Sequence, residues 1–309
     1  MYCFDENYNL QAFSSIISVL DKVTCKVNLH VIHKIENKQD FIPPIILQHQ
    51  NLNKVKVMQF NIQEFEFPNI EGKHVSEATY YRIFFENFID ENVDFLLYLD
   101  ADIVCIKDFT TDYVKIKSQI KNSNNIIATA TEMSKKEDVE TFKRIGMKSS
   151  IYFNAGVMFI DVDSWKENNV GNQLINILKH LDFEIKFWDQ DIFNKFFDGN
   201  YFEIDRSLNS NIFLDENKEK IKIKLKNAKL VHFYGKTKPW VGKGLYLNNS
   251  EIYQEEYRKL NKNFFHIEHR WRVNSLYLLI KNLFNLNFFK KKYKYKFIVE
   301  MLKSLGNYK

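Results

Sequence analysis

Hydrophobic and polar residues alternate along this chain in two rhythms, one typical of β-strands and one typical of amphipathic helices. Short apolar or alternating runs predict strands at residues 27–32, 55–60, 95–99, 126–131, 152–160 and 229–234. Helical spacing predicts helices at residues 10–20, 76–89, 112–121, 164–180 and 190–197, with a weaker helical pattern at 39–50. Strands that alternate with helices favour βαβ units, so we expect an α/β fold with a Rossmann-like, mostly parallel sheet flanked by helices.

Composition fits one folded unit with a large core. The 309 residues are 45% hydrophobic and 16% aromatic, and only 9 Gly and 4 Pro occur. Cys3, Cys25 and Cys105 lack metal-ligand spacing, so we interpret them as reduced thiols. Asp5 and Glu6 interrupt the start where a signal peptide would be apolar, and no apolar run approaches the roughly 20 residues of a membrane span. We therefore expect a cytoplasmic protein.

The triplet Asp100-Ala101-Asp102 follows directly after the apolar run 95–99. In an extended chain residues i and i+2 point to the same side, so both carboxylates could bind one Mg²⁺ or Mn²⁺. Parallel sheets bind ligands at the carboxyl ends of their strands, where Asp5 and Asp100 both fall. Aspartate is also common in ordinary turns, and the triplet taken alone favours that simpler interpretation.

Three downstream segments combine apolar runs with polar residues that a core would not select. Residues 152–161 form an apolar strand pattern that contains Asn154 and Gly156, and residues 188–194 place acids and an amide before a helical pattern. Residues 231–240 lead from a strand with His232 through a glycine to two lysines. Individually, Asn154 could satisfy a buried backbone group, Asp189 could cap a helix, and His232 could be a core histidine. Together with the Asp-x-Asp triplet, the segments indicate one functional site.

These segments resemble the ordered motifs of glycosyltransferase family 8, especially bacterial retaining galactosyltransferases and glucosyltransferases that build lipopolysaccharide or other surface glycans. The resemblance covers roughly residues 2–245 and implies the GT-A fold. The first strand has only residues 1–4, shorter than is usual in the family, so the start could be truncated. The matching motifs are Asp5-Glu6-Asn7-Tyr8, His74-Val75-Ser76 with Thr79-Tyr80-Tyr81-Arg82, Leu99-Asp100-Ala101-Asp102, Phe153-Asn154-Ala155-Gly156-Val157, Asp189-Gln190-Asp191 and His232-Phe233-Tyr234-Gly235-Lys236-Thr237-Lys238-Pro239-Trp240.

The resemblance implies a divalent metal that stabilises charge on a departing diphosphate. Its ligands would be Asp100, Asp102 and His232, and the nitrogen ligand favours Mn²⁺ over Mg²⁺, which remains a weaker substitute. Gly235 and Lys238 correspond to diphosphate contacts, one through a backbone N–H and one through a point charge.

The other matched residues are implied contacts of the nucleotide sugar. Asp5, Asn7 and Tyr8 correspond to the nucleoside end, and Ala101 and Ala155 belong to the matched donor-binding motifs. The resemblance assigns the hydroxyls of the donor sugar to three residues, Arg82, Asn154 and Asp189.

Gln190 would lie nearest the anomeric carbon, so Gln190 and Asp189 are the candidate catalytic residues. A neutral amide cannot act as a general base, which favours retention of the anomeric configuration. Retention could proceed by front-face displacement or through a transient adduct on Asp189, and the sequence leaves both open.

The net positive charge of the chain is concentrated in its C-terminal 48 residues. Residues 262–309 contain eleven Lys and Arg against Glu268 and Glu300, a net of +9, which leaves −4 for residues 1–261 of the total of +5. An amphipathic helical pattern occurs here, with Asn274, Lys281, Asn282 and Asn285 opposite the apolar residues Val273, Leu276, Tyr277, Leu279, Ile280, Leu283, Phe284 and Leu286. Residues 290–297 then interleave lysines with aromatics.

We interpret residues 262–309 as a helical tail that attaches a catalytic domain, residues 1–261, to an anionic membrane surface. Alternatively, the helix could pack on the catalytic domain, or the lysine-tyrosine stretch could bind RNA. We do not expect nucleic acid, because exposed apolar anchors suit a membrane interface better than phosphates.

The sequence thus predicts a retaining, Mn²⁺-dependent enzyme that transfers galactose or glucose from a UDP-sugar. The expected acceptor is a glycan, lipid-linked or in the lipopolysaccharide core, at the inner face of the cytoplasmic membrane. The alternative is a catalytically inactive module that binds a UDP-sugar.

Overall fold

A computed structural model describes residues 1–35, 41–62, 65, 67–68, 76–284 and 292–306. Its first three strands form a parallel sheet in the order β1-β2-β3. Met1 joins this sheet to the next strand, β4, because its amino group donates to the carbonyl of Leu97 at 2.7 Å and its carbonyl accepts from the Leu99 N–H at 3.1 Å. The strands are β1 (Tyr2–Cys3), β2 (Val27–His33), β3 (Leu52–Gln59) and β4 (Phe95–Leu99).

The sheet continues beyond β4 as a mixed sheet in the order β4-β7-β6-β8. Strand β7 runs antiparallel to both β4 and β6, whereas β8 is parallel to β6. The expected α/β fold is confirmed, and β1 to β3 form its all-parallel part. The further strands are β6 (Ile127–Ser134), β7 (Ile151–Asp161) and β8 (Phe202–Glu203).

A smaller sheet in the order β5-β10-β9 lies beside the main sheet. Strand β10 pairs antiparallel with β5, placing His232 opposite Ile103, and pairs parallel with β9. The sequence predicted only β10 of these three, because β5 and β9 have three residues each and are too short to show a period. The strands are β5 (Ile103–Cys105), β9 (Ser210–Ile212) and β10 (Leu230–Phe233).

Helices surround the two sheets, and three of the predicted helices differ from the expected pattern. In the described part of 39–50, residues 41–50, the only α-helix is Pro44–Leu47. The predicted helix 164–180 is two helices, because Asn169 has a left-handed φ of 51°. The predicted helix 76–89 is a 3₁₀ helix, Glu77–Asn87. The α-helices are α1 (Asn9–Lys22), α2 (Pro44–Leu47), α3 (Thr110–Lys121), α4 (Val139–Ile145), α5 (Val162–Glu167), α6 (Val170–Lys179), α7 (Trp188–Phe197), α8 (Lys218–Asn227), α9 (Glu251–Lys259), α10 (Arg272–Phe284) and α11 (Lys294–Gly306).

Two hydrophobic clusters cover the main sheet. Phe159 packs in the cluster that includes α1, while its neighbours Met158 and Ile160 pack in the other cluster with Trp165. Successive residues of a strand point to opposite faces, so this split shows that both faces of β7 are buried. The sheet edge at the strand ends is therefore the part of the sheet that remains open for polar chemistry.

The C-terminal helices α10 and α11 pack beside the 3₁₀ helix Gly242–Tyr246. Their contacts form a small separate core of six buried residues, Leu245, Phe265, Leu279, Phe297, Met301 and Leu305. In the described ranges, no helix is long and apolar enough to cross a membrane. Parts of the sequence predictions lie outside the described residues, namely positions 39–40, His74, Val75, Asn285, Leu286, Lys290 and Lys291.

The three cysteines are free thiols, as the sequence predicted. Cys3 and Cys105 are buried, and Cys25 is exposed. Burial raises the pKa of the Cys105 thiol to about 12, so this group stays protonated at neutral pH. The fold therefore uses Cys105 as a small core residue.

Candidate active site

A cleft of about 450 Å³ opens where β4 and β10 end. This is the position that the sequence predicted for a ligand, because the candidate residues follow these strands. Eleven of the fourteen residues assigned to the donor site line the cleft: Tyr8, Arg82, Asp100, Ala101, Asp102, Asn154, Asp189, Gln190, His232, Gly235 and Lys238. Asp5, Asn7 and Ala155, the other three, lie beside it.

The Asp-x-Asp carboxylates and an imidazole converge at one point of this cleft. Ligand atoms of Asp100, Asp102 and His232 lie within 4.8 Å of one another. The fold explains their meeting, because β5 begins directly after Asp102 and its first residue pairs with His232 on β10. Among the described residues, no second group of three His, Cys, Asp or Glu side chains is this compact.

The contacts of His232 and Asp102 fit a bound cation. The Nδ1 atom of His232 lies 3.1 Å from the side-chain oxygen of Asn209, so a proton on Nδ1 leaves the lone pair of Nε2 available. Nε2 lies 3.2 Å from Oδ1 of Asp102, but the two atoms are not aligned for a hydrogen bond, and this buried oxygen has no hydrogen-bond donor. A nitrogen lone pair that faces a carboxylate oxygen is a donor set suited to a divalent metal.

Positive charge around Asp102 keeps this carboxyl ionised. Lys238 donates to Oδ2 of Asp102 at 2.7 Å and to the carbonyl of Phe233 at 2.7 Å. Burial raises the pKa of Asp102, but neighbouring charge, foremost that of Lys238, lowers this pKa to well below its usual range. The charged form that a metal requires is therefore already the stable one.

Gly156 is required by the side chains that pack over it. A Cβ atom at this position would lie 2.5 Å from Cε1 of His232 and 2.9 Å from Oδ2 of Asp100, both closer than normal contacts. The glycine of the Asn-Ala-Gly motif therefore makes room for two candidate metal ligands. The close approach to this glycine is made by the protein's own side chains.

Arg82 connects Asp100, a candidate metal ligand, with Asp189, a candidate sugar contact. Its guanidinium donates to both oxygens of Asp189, one of them at 2.9 Å, and also to Asp100 at 2.9 Å and to the carbonyl of Ala155 at 2.8 Å. Burial lowers the pKa of Arg82, but Asp189, Tyr98 and Asp100 raise this pKa well above its ordinary value. Breaking a buried pair of this kind typically costs about 3–5 kcal/mol.

Asp189 has both carboxylate oxygens occupied. In addition to Arg82, the Thr79 hydroxyl donates to its Oδ1 atom at 2.6 Å, and the residue is only 1% exposed. Asp191, in the same first turn of α7, is also paired with an arginine, because Arg144 donates to both of its carboxylate oxygens. Trp188 starts α7 with a left-handed φ of 48°, an unusual conformation for a bulky residue that often occurs at functional sites.

Gln190 is oriented by three neighbours. Its carbonyl oxygen accepts from the Ala155 N–H at 3.0 Å and from the Asn154 amide at 3.2 Å. Its own amide donates to Glu132 at 3.1 Å, and the same Glu132 oxygen accepts from Asn154 at 3.0 Å. The orientation of Gln190 is therefore fixed by the strand end of β6 and by the middle of β7.

The residues assigned to the nucleoside by the sequence resemblance lie in the turn after β1. Tyr8 lines the cleft, and burial raises the pKa of its hydroxyl above the ordinary value, so the ring is neutral. Asp5 accepts from the Asn7 N–H at 3.0 Å and from the Asn7 side chain at 3.4 Å, capping the 3₁₀ helix Glu6–Tyr8.

Gly235 lies in the turn before Lys238. Its φ of 79° is in the left-handed region, which favours glycine over other residues.

The sequence interpretation missed four residues that contact or line the site. Tyr98 donates to Asp100 at 2.6 Å, Asn209 contacts His232 and Asn154, Glu132 binds Gln190, and Arg270 lines the cleft. A carboxylate at the end of a strand was a usable signal for Glu132. Asn209 and Arg270 had none, because they come from distant segments without a motif.

Comparison with known proteins shows the family of this chain. The model of glycosyl transferase family 8 matches residues 1–244. General stress protein A of Bacillus subtilis (strain 168) is 25% identical over 283 residues, covering 82% of this chain and 90% of that protein. The lipopolysaccharide 1,2-glucosyltransferase of Escherichia coli (strain K12) is 27% identical over 251 residues, covering 77% of this chain and 71% of that protein.

The solved structure of the galactosyltransferase LgtC in complex with donor and acceptor sugar analogs has the same fold. It superposes with a TM-score of 0.67 at 19% identity, over 88% of this chain and 98% of that chain. This likeness confirms the expected GT-A fold, and the family match covers every motif on which the sequence resemblance depends. The chain belongs to glycosyltransferase family 8.

Proposed function

We propose that this glycosyltransferase moves galactose or glucose from a UDP-sugar to a saccharide acceptor, with retention of configuration and with Mn²⁺ as its metal. The observation that carries the proposal is the cleft in which Asp100, Asp102 and His232 meet beside the Arg82–Asp189 pair. A hexose bound to a diphosphate needs this order of groups, with cations at one end and hydrogen-bonding side chains at the other.

The donor set supports the metal assignment. Two carboxylates and one imidazole would hold the ion, and the nitrogen ligand favours Mn²⁺, with Mg²⁺ as a weaker substitute. When bound, the metal supplies Lewis-acid stabilisation of negative charge on the leaving diphosphate. Lys238 and the backbone N–H of Gly235 would add a point charge and a hydrogen bond to the same group.

The contacts of Asp189 and Gln190 support front-face retention. Formation of a covalent adduct on Asp189 would have to displace Arg82 or Thr79 from an oxygen, in a buried position where such a loss is costly. Gln190 is neutral and would stabilise positive charge at the anomeric carbon without acting as a base. In a front-face reaction the departing phosphate oxygen accepts the proton of the acceptor hydroxyl.

The relatives suggest the acceptor class. One relative is named as a lipopolysaccharide 1,2-glucosyltransferase. For this chain we propose a lipid-linked saccharide or a lipopolysaccharide core as the acceptor. The alternative of an inactive UDP-sugar-binding module is disfavoured, because the candidate metal ligands and Gln190 all line the cleft.

We further propose that the C-terminal helices attach to an anionic membrane surface. Leu279 of α10 is buried in the small core, but the opposite stripe of the helix is exposed. The exposed stripe consists of Val273, Leu276, Tyr277, Ile280 and Phe284, and α11 adds Tyr295, Val299 and Leu302. Basic residues of the same segment would add about 1 kcal/mol each near anionic lipid. This arrangement supports peripheral attachment at the inner face of the membrane, and we expect no nucleic-acid partner.

The decisive experiment is incubation of the protein with a panel of nucleotide sugars and Mn²⁺ while UDP release is measured. We expect slow hydrolysis of UDP-galactose or UDP-glucose without an acceptor, and faster release when an acceptor saccharide is added. Binding of UDP-sugars without hydrolysis or transfer would favour the inactive module. Hydrolysis of a donor with another nucleotide would refute the UDP assignment.

A further inference from the structure

The segment between α9 and α10 is firmly connected to the catalytic unit. The His266 N–H donates to the side-chain oxygen of Gln254 at 2.9 Å, and the Gln254 amide donates back to the carbonyl of His266 at 3.0 Å. The His266 ring stacks on Trp240, with ring centroids 5.9 Å apart. Residue 266 is therefore fixed to α9 and to the end of the lysine loop, which is the turn from Gly235 to Trp240.

Glu268 makes the next connections. Its N–H donates to the carbonyl of Trp240 at 2.8 Å, and the residue forms an isolated parallel bridge with Val241. Its carboxylate accepts from the Gln11 side chain at 2.8 Å, so it also reaches α1. These contacts carry the chain along the side of the cleft that lies next to the lysine loop.

Two residues further along the chain, Arg270 lines the cleft. It shares the lining with Tyr8, Asp102, Gly235 and Lys238, the residues assigned to the nucleoside, the metal and the diphosphate. Its positive charge acts on Tyr8, because it lowers the pKa of the Tyr8 hydroxyl against the dominant effect of burial. Arg270 thus lines the part of the cleft where the residue assigned to the nucleoside and those assigned to the diphosphate occur together.

We infer that Arg270 binds the diphosphate of the nucleotide donor together with Lys238. This inference rests on the proposed function. A guanidinium presents two parallel N–H groups that match phosphate oxygens, whereas Lys238 offers a single charge that is shared with Asp102. The residue would come from the C-terminal segment, outside every motif of the family resemblance and outside residues 1–244.

This role would link donor binding to the C-terminal helices. Helix α10 begins at Arg272, only two residues after Arg270, so a shift of α10 would move the guanidinium. A donor that fixes Arg270 would in turn fix the start of α10. One short segment would then carry two binding sites, Arg270 for the diphosphate and the exposed stripe of α10.

The test is calorimetric binding of UDP and of uridine to the full-length protein in the presence of Mn²⁺. Arg270→Gln should weaken UDP binding about ten- to a hundredfold, the range for loss of a hydrogen-bonded charge, and leave uridine binding unchanged. Arg270→Lys should recover part of the UDP affinity. Arg272→Gln is the matched control, because Arg272 is an exposed arginine at the start of α10, and it should bind UDP like the wild type.

The outcomes separate the possible explanations. Unchanged UDP affinity in Arg270→Gln would overturn the inference while the proposed function stands. An equal loss for UDP and uridine, or a large fall in Tm, would show that Arg270 supports the fold instead of the diphosphate. If the wild type binds neither UDP nor uridine, the proposed function fails together with the inference.

Discussion

The cleft buries charged side chains, whereas the C-terminal helices expose apolar ones. In the cleft, charged side chains are withdrawn from water and satisfied, as in Arg82, which is 4% exposed and binds two carboxylates. In the C-terminal segment, large apolar side chains face outward: Trp271, just before α10, is 72% exposed, and Val273 and Phe284 of α10 are 82% and 83% exposed. The cleft is organised before any ligand arrives, whereas the helices present apolar side chains to solvent.

This contrast has energetic consequences. Removing one member of the buried cleft network leaves its partner charged and unsatisfied, which typically costs several kcal/mol. Removing one exposed apolar side chain from α10 costs the isolated protein almost nothing, because surface substitutions usually stay within about 0.5 kcal/mol. Mutations in the two regions should therefore separate activity, stability and membrane attachment.

The largest effect should come from the metal ligands. We expect Asp100→Ala, Asp102→Ala and His232→Ala each to abolish Mn²⁺-dependent release of UDP, because each removes one of three converging ligands. Asp163→Ala is the control, since this exposed aspartate pairs with Lys121. The measurement is UDP release during a Mn²⁺ titration, with Tm recorded for each variant. Wild-type turnover that persists in excess EDTA would contradict the metal assignment.

Regular periodicity made most of the fold predictable. The apolar run 95–99 became β4 with unchanged bounds, and the helical spacing at 190–197 lies within α7. Helix α8 was not predicted, because its lysines and isoleucines alternate as in a strand and only Ile221 is buried. The break at Asn169 depends on one left-handed residue, which hydrophobic spacing cannot reveal.

The residues of the candidate site could be predicted from the sequence where they belong to motifs. The sequence resemblance implied that Asp100, Asp102 and His232 bind one metal, and the structure places their ligand atoms in one cluster. For Glu132 the sequence offered only its position at the end of a strand, and for Asn209 it offered no signal, because both residues act through their neighbours. Their role as orienting groups appears only when distances between side chains are known.

A smaller effect should follow from Gln190→Ala. We expect transfer to slow by about a hundredfold, the scale of losing one preorganised dipole, without complete loss, because the amide forms no obligatory bond. Gln173→Ala, on the outer side of α6, is the matched control. Product analysis by NMR should show an α-linked product from an α-linked donor. A β-linked product would overturn retention, and a trapped adduct on Asp189 would overturn only the front-face route.

The smallest effect on catalysis, and the clearest contrast with the cleft, should come from the exposed stripe of α10. The double substitution Leu276→Ser with Phe284→Ser should reduce sedimentation with anionic vesicles and leave acceptor-free donor hydrolysis within about twofold of the wild type. The physical reason is that each buried apolar side chain contributes roughly 1.5–3 kcal/mol, and these two contact no part of the cleft.

Ile223→Ser provides the matched control, because Ile223 is also an exposed apolar residue but lies on α8. This variant should bind vesicles like the wild type. Added salt should weaken attachment of the wild type, since screening reduces the attraction between the basic residues of the segment and anionic lipid. Neutral vesicles should bind less than anionic ones for the same reason. If the full-length protein does not sediment with anionic vesicles even at low salt, the exposed stripe serves another partner and the proposed membrane attachment is wrong.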